Sequence, residues 1–144
     1  EAAPGRRAGC EAYLEQAGIP WSTVRVAVGH GTTRGGYAAA ARLLTDHPWL
    51  TGLVCGNDRM AMGAYDAIRE QGLRVRDDVA VIGIDDQELI ADQLHPALTT
   101  VALPFEEMGQ VAASHLLALT EGEEVPAETL LPGQIIRRSS AWHP

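Results

Sequence analysis

The sequence contains no lysine, so its eleven cations are all arginines, and nineteen carboxylates bring the formal net charge to -8 at pH 7. A chain this acidic does not bind a phosphate backbone by bulk charge, which argues against direct nucleic-acid recognition by these residues. The sequence also lacks the run of roughly 20 apolar residues that crosses a bilayer. No secretory signal opens it, although a chain that begins at Glu1 rather than Met says little about a leader. We expect no contact with a membrane.

Cysteine is scarce as well, with two residues, Cys10 and Cys55, far apart within apolar patterns. Two reduced thiols fit this placement better than a disulfide, and reduced thiols are typical of the cytoplasm. Neither cysteine has a CxxC partner and the five histidines lack metal-ligand spacing, so we predict no metal site and no cofactor. The sequence also lacks a G-x-S-x-G elbow, a Walker motif and HExxH, so we expect a protein that is not an enzyme.

What the sequence does contain is an alternation of helical and extended patterns over 144 residues, 46% of them hydrophobic. The extended patterns are near-continuous apolar runs, which predicts an α/β fold with an open parallel sheet and helices on both faces. The predicted strands are Val24–Val28, Leu53–Cys55 and Val79–Ile84. The predicted helices are Ala8–Ala17, one with Tyr37, Ala40, Ala41 and Leu44 on its inner face, and one capped by Asp58 with Ala61, Ala64, Tyr65 and Ile68 inside.

The pattern changes after residue 86. An irregular stretch leads to the β-rich "ALTTVALP", and Pro104 is suited to be the first residue of a long helix that Gly122 ends. A last strand is predicted within "LLPGQIIRRSS". The inner face of the long helix is expected to be Met108, Val111, Ala112, His115, Leu116 and Leu119.

Polar residues follow three of the apolar strands. They are His30, the pair Asn57 and Asp58, and the pair Asp85 and Asp86. Ligands of an open parallel sheet bind beyond the carboxyl ends of its strands. An asparagine amide and a carboxylate can together bind vicinal hydroxyls, so we interpret Asn57 and Asp85 as ligand-binding residues. Asp58 and Asp86 fit the commoner role of caps or turn residues.

Three segments in series, "GNDRMAMGAYDAIREQGLRVRDDVAVIGIDD", "HPALTTVALPFEEMGQVAASHLL" and "LLPGQIIRRSS", resemble the effector-binding core of the LacI/GalR (lactose-repressor) transcriptional regulators. The resemblance covers nearly the whole chain and implies a type I periplasmic-binding-protein-like fold, in which two α/β lobes enclose a ligand cleft. It implies further that residues 1–100 and 134–144 belong to the C-terminal lobe and residues 101–133 to the N-terminal lobe. The family's DNA-binding head is absent from this sequence.

The resemblance also implies ligand-binding roles for individual residues. Arg6 of "RRAG", which we expect near the start of the first helix, corresponds to an arginine that clamps the ligand. Asn57 and Asp85 fall on polar positions of the family's cleft, and Phe105 on an apolar contact, although a hydrophobic staple is an equal alternative for Phe105. Where members that stack a sugar ring carry an aromatic residue, this chain has Gly29-His30-Gly31, and His30 is the candidate substitute.

The expected function is therefore the effector-binding and dimerising portion of a cytoplasmic LacI-type regulator. Its effector would be a sugar or sugar-like molecule, and operator DNA would be bound only through the absent head. Two alternatives are a periplasmic sugar-binding protein of an ABC transporter and a small α/β enzyme that uses Asp85. We expect a homodimer that forms through Arg34–Thr45, Arg59–Glu70 and Leu89–Leu94.

Overall fold

The computed structural model describes residues 2–141, with side chains from residue 4 onward. Within these residues the chain forms four helices, one 3-10 turn and four strands. The helices are α1 (Ala2–Gln16), α2 (Thr33–Asp46), α3 (Asp58–Glu70) and α4 (Phe105–Thr120), the 3-10 turn is Trp21–Thr23, and the strands are β1 (Gly52–Val54), β2 (Ala80–Asp85), β3 (Thr99–Ala102) and β4 (Gln134–Ile136).

The strands form one open sheet in the order β1-β2-β3-β4. β1 pairs with β2 and β2 with β3 in parallel, while β4 runs antiparallel to β3. The predicted α/β class and open sheet are confirmed, and β4 makes the sheet mixed rather than all parallel. The apolar run of β2 is fully buried on only one face, since Val81 and Gly83 are buried whereas Ile82 and Ile84 are half-buried.

The predicted strand Val24–Val28 is wrong. The segment has no regular structure, and Val26 and Val28 are largely exposed. Alternating valines suit a pleated backbone, but a strand exists only where another strand accepts its hydrogen bonds. Among residues 2–141 the sheet ends at β1, and the segment joins no described ladder.

The core lies between α3 and the sheet, with α2 packed along α3. The predicted inner face of α3 is confirmed, because Ala61, Ala64, Tyr65 and Ile68 are each at most 1% exposed. Burying a large apolar side chain in this way stabilises the fold by about 1.5–3 kcal/mol compared with leaving it exposed. Gly72, in the left-handed region at φ 74°, follows the C-cap of α3, and the next amide, Leu73 N–H, bonds back to the Ile68 carbonyl oxygen.

Two glycines allow α2 and α3 to approach closely. A Cβ atom on Gly36 would collide with the backbone of Met60, and one on Gly63 with the carbonyl oxygen of Thr33. The interface between these helices is therefore backbone against backbone, which no larger residue permits without moving one helix.

The helices α1 and α4 are packed far less. The predicted inner face of α4 is wrong for these residues, because no residue of α4 is buried and Leu116 is 63% exposed. The helix α1 begins at Ala2, so Arg6 lies in its second turn and does not open it. Both cysteines are free thiols; burial raises the pKa of Cys55 to about 12.

None of the described helices is long and apolar enough to cross a membrane.

Candidate functional site

Three chain segments converge where the parallel strands end. In the ladder Asp85, the last residue of β2, is opposite Ala102, the last residue of β3. The Cys55 amide after β1 bonds to Ile82 of β2, which brings Gly56 to the same edge. Loops that leave parallel strands at one edge form a common ligand-binding rim.

Arg6 and Asp85 meet at this rim although 79 positions separate them. The Arg6 guanidinium donates from Nη1 to the Gly56 carbonyl oxygen at 2.5 Å and from Nη2 to Asp85 Oδ1 at 3.5 Å. The two side chains are 31% and 15% exposed, so both still reach solvent. A planar fork of donors beside a carboxylate can bind a ligand that offers both acceptors and hydroxyl donors.

Asn57 connects the start of α3 to the turn at Gly31. Its Oδ1 accepts the Met60 amide at 2.8 Å, and its Nδ2 donates to the Gly31 carbonyl oxygen at 3.0 Å. Asn57 is thus the N-cap of α3, and the prediction of Asp58 as cap is wrong by one residue. An amide group has two N–H donors and two lone pairs, so one of each remains for a ligand.

His30 lies in the turn that Asn57 holds. His30 and Gly31 have φ angles of 53° and 69°, and the His30 side chain is exposed. The imidazole is therefore accessible to solvent beside the Gly31 carbonyl oxygen that Asn57 contacts.

Phe105 begins α4 three residues after β3 ends and is 60% exposed. It lines an open hollow of about 610 Å³ with Leu103, Pro104, Glu106, Glu107 and Gln110. Pro104 occupies the N-cap position, so the predicted helix start is displaced by one residue. Two carboxylates in the first turn of α4 make one wall of this hollow acidic.

Asp58 has a structural role beyond the predicted cap or turn. Its side chain is fully buried, its Oδ1 accepts the Thr100 hydroxyl at 2.6 Å, and its Oδ2 accepts the Gln87 amide at 2.8 Å. Burial raises the pKa of this carboxyl, and its two hydrogen bonds oppose that rise. Gly83 makes room for it, because a Cβ there would collide with Asp58 Oδ1. A glycine inside a strand often marks such an approach and was the available signal.

Asp85 and Asp86 do not continue the strand as extended residues. Their φ angles are 118° and 56°, which are positive values that residues with a side chain rarely adopt. Asp85 turns toward Arg6 and also accepts Gln87 Nε2 at 3.2 Å. Asp86 Oδ1 lies 2.7 Å from Arg138 Nη1 and forms an ion pair with it. The same Nη1 donates a hydrogen bond to the Leu98 carbonyl oxygen. The turn interpretation of Asp86 is consistent with this geometry.

Metal-binding clusters of three or more His, Cys, Asp or Glu side chains do not occur within residues 4–141.

Residues 1–141 match a protein family described as the periplasmic binding protein-like domain. The lactose operon repressor of Escherichia coli (strain K12) is 33% identical over 139 residues, 96% of this chain and 38% of that protein. The HTH-type transcriptional repressor PurR of Yersinia pestis bv. Antiqua (strain Antiqua) is 37% identical over 142 residues, 97% of this chain and 41% of that protein. The chain thus spans about two fifths of the length of these curated relatives.

Solved structures of LacI-family proteins share the fold. The Lac repressor dimer bound to operator and the anti-inducer ONPF superposes on 99% of this chain and 42% of that one, with a TM-score of 0.91 and 33% identity. A LacI family regulator from Arthrobacter sp. FB24 in complex with lactose gives 0.79 at 33% identity, over 91% and 49% of the two chains. One from Enterococcus faecium with bound ribose gives 0.79 at 30%, over 91% and 48%. The resemblance found in the sequence is confirmed.

Proposed function

This chain belongs to the periplasmic binding protein-like domain family, and we propose on that basis that it is the effector-binding and dimerising portion of a LacI-type transcriptional regulator. The observation that carries the proposal is the Arg6–Asp85 pair at the carboxyl edge of the sheet. Relatives that are repressors favour a regulator over a transport protein. We further propose that the protein acts in the cytoplasm, where its operator DNA is, and that it binds its ligand without transforming it.

The proposed ligand is a sugar or a sugar-like metabolite. Arg6 and Asp85 offer donors and acceptors side by side, and Asn57 retains one of each. A polyol presents adjacent hydroxyls that use both kinds of group. Lactose and ribose are the ligands of two regulators of the same fold, which supports this class. His30 and Phe105 would border the ligand from opposite ends of the rim.

The mechanism we propose is a shift between two arrangements of the lobes. A ligand that binds between two lobes favours the closed arrangement by its differential affinity for that state. Residues 101–133 would belong mainly to the N-terminal lobe. Strand β3 of the proposed C-terminal lobe ends at Ala102, and the next strand of the sheet, β4, begins at Gln134. Helix α4 lies between these strands in the chain and has no buried residue, which supports this division.

A homodimer would couple closure to the spacing of DNA-binding heads. We propose that it forms through Arg34–Thr45, Arg59–Glu70 and Leu89–Leu94, since Leu89 is 90% exposed and Met62 is also exposed. Leu89→Asp should weaken the dimer at least tenfold, which light scattering during gel filtration measures. Leu130→Asp is the matched control, because Leu130 is 83% exposed outside these segments. Equal effects of the two changes would contradict the proposed surface.

A thermal-shift screen of monosaccharides, disaccharides and nucleobases tests the ligand site. A ligand at about 100 times its Kd should add roughly 2.7 kcal/mol to the free energy of unfolding. Asp85→Ala should abolish the shift, whereas Asp77→Ala should retain it because Asp77 is an exposed carboxylate that pairs with Arg74 outside the rim and the proposed dimer segments. A shift that survives Asp85→Ala would remove the rim from the proposal. Ligand turnover that Asp85→Asn abolishes would instead support the enzyme alternative.

A further inference from the structure

The turn that presents Asp85 has an unfavourable backbone. Asp85 and Asp86 are consecutive residues with a side chain and positive φ, at 118° and 56°. This conformation is unfavourable for a residue with a side chain, and it persists only where surrounding contacts impose it. The contacts that hold this turn therefore decide where the Asp85 carboxylate points.

One of these contacts comes from below the rim. The Gln87 amide, directly after the two strained residues, donates to Asp58 Oδ2 at 2.8 Å. The other Asp58 oxygen accepts the Thr100 hydroxyl of β3 at 2.6 Å, and the carboxylate lies over Gly83 of β2. Asp58 thus ties the turn to two strands and to the start of α3. A carboxylate acceptor makes a stronger hydrogen bond to an amide than a neutral acceptor does.

Asp58 itself cannot touch a ligand, because its side chain is 0% exposed. Asp85, in contrast, remains 15% exposed beside Arg6. We propose that Asp58 is a positioning residue for the ligand-binding carboxylate: it fixes the turn at residues 85–87 and thereby sets the affinity of the rim. This inference rests on the proposed function of Arg6 and Asp85 as ligand-binding residues.

The test compares Asp58→Ala and Asp58→Asn in the complete protein, with lactose and ribose as probes in calorimetric titrations. Asp58→Ala should raise the Kd of the sugar that binds at least tenfold. Asparagine keeps one oxygen for the Gln87 amide and can donate to Thr100, so Asp58→Asn should restore most of the affinity. Asp78→Ala is the matched control, because Asp78 also accepts a backbone amide in a turn, that of Arg74, but lies outside the rim. It should leave the Kd unchanged.

A double-mutant cycle separates positioning from general destabilisation. In an Asp85→Asn background, Asp58→Ala should have no further effect on the Kd, since the group it positions has been altered. Hydrogen exchange of the Gln87 amide provides a readout without ligand and should accelerate at least tenfold in Asp58→Ala but not in Asp78→Ala. If Asp58→Ala does not fold, Asp58→Ser replaces it, because serine is too short to reach Gln87.

Unchanged exchange at Gln87, or equal losses of affinity in both backgrounds, would overturn the inference. Failure of the proposed function looks different: the wild type binds neither sugar, or Asp85→Asn binds as tightly as the wild type. A weakened Asp85→Asn beside an unimpaired Asp58→Ala overturns the inference alone.

Discussion

The helices α3 and α4 both carry apolar residues at helical spacing, but only α3 buries them. In α3 seven residues are buried, and Tyr65 and Ile68 are fully enclosed. In α4, which is more apolar along its length, no residue is buried and Leu116, Leu117 and Leu119 are all more than half exposed. Periodicity in a sequence thus identifies the face that a helix can bury, whereas burial requires a second surface, which α2 and the sheet provide for α3.

Truncation of one apolar residue in each helix should reveal this difference most strongly. Ile68→Ala should lower the free energy of unfolding by about 3–4 kcal/mol, because it removes fully buried atoms and leaves a cavity. Leu116→Ala should change it by less than about 0.5 kcal/mol, because the side chain is already 63% exposed. Urea unfolding measures both values. A loss above about 2 kcal/mol at Leu116 would mean that another surface covers α4.

Replacement of a glycine by alanine should have opposite effects on stability in the two helices. Gly63→Ala should destabilise the fold by about 2–3 kcal/mol, because the new Cβ collides with the Thr33 carbonyl oxygen of α2. Gly109→Ala in α4 meets no atom within 4 Å and should stabilise it by about 0.5–1 kcal/mol. Thermal unfolding gives both signs. A destabilising Gly109→Ala would contradict the open face of α4.

Hydroxyl groups allow a similar contrast. Ser140 is fully buried; its Oγ donates to the Val81 carbonyl oxygen at 2.6 Å and accepts the Thr99 amide at 2.8 Å. Ser140→Ala leaves both backbone groups without this partner and should cost about 2 kcal/mol. Ser114→Ala on α4 removes only an exposed bond to Val111 and should change stability by less than about 0.5 kcal/mol. Comparable losses at the two sites in urea unfolding would show that burial of Ser140 is not what matters.

Two carboxylates should give the smallest effects, with opposite signs. Burial raises the pKa of Asp58 above its ordinary 3.8, so its contribution to stability is full below that pH and falls as the pH rises through the folded-state pKa. The hydrogen bonds and charge of Arg74 lower the pKa of Asp78, so its contribution is present above 3.8 and is lost as the pH falls through the lowered pKa.

Urea midpoints of the wild type, Asp58→Asn and Asp78→Asn, measured from about pH 2.5 to 6, test both expected pH dependences. The first change should remove a decline of stability above pH 3.8, and the second should remove a loss below it. If the urea midpoint of Asp58→Asn has the same pH dependence as that of the wild type, the pKa of the Asp58 carboxyl is not raised by folding.

The sequence predicted two strands of the sheet correctly and a third strand wrongly. Leu53–Cys55 and Val79–Ile84 match β1 and β2 to within one residue at each end, because their apolar runs are bounded by turns on both sides. Val24–Val28 has an alternating pattern that also favours an extended backbone, but it is not a strand. Local pattern gives the preference for an extended backbone, and only pairing turns that preference into a strand.

The site divides in the same way. Asp85 was identified from its position after an apolar strand and Arg6 through the resemblance, and the fold brings the two side chains together. Asp58 was interpreted as a cap, because an aspartate after a strand most often is one, and its real contacts come from residues 29 and 42 positions away. Contacts over such separations have no local signature in a single sequence.

The sequence alone established the family through its resemblance. It also established the α/β class, the inner face of α3 and the polar residues after β1 and β2, because periodicity and turn chemistry act over a few neighbouring residues. Tertiary structure decided which apolar stripe is buried, that Asn57 rather than Asp58 caps α3, and that the Asp85–Asp86 turn adopts a strained backbone above a buried carboxylate. Those outcomes depend on groups that are distant in the chain, and packing alone brings such groups within a few ångströms of each other.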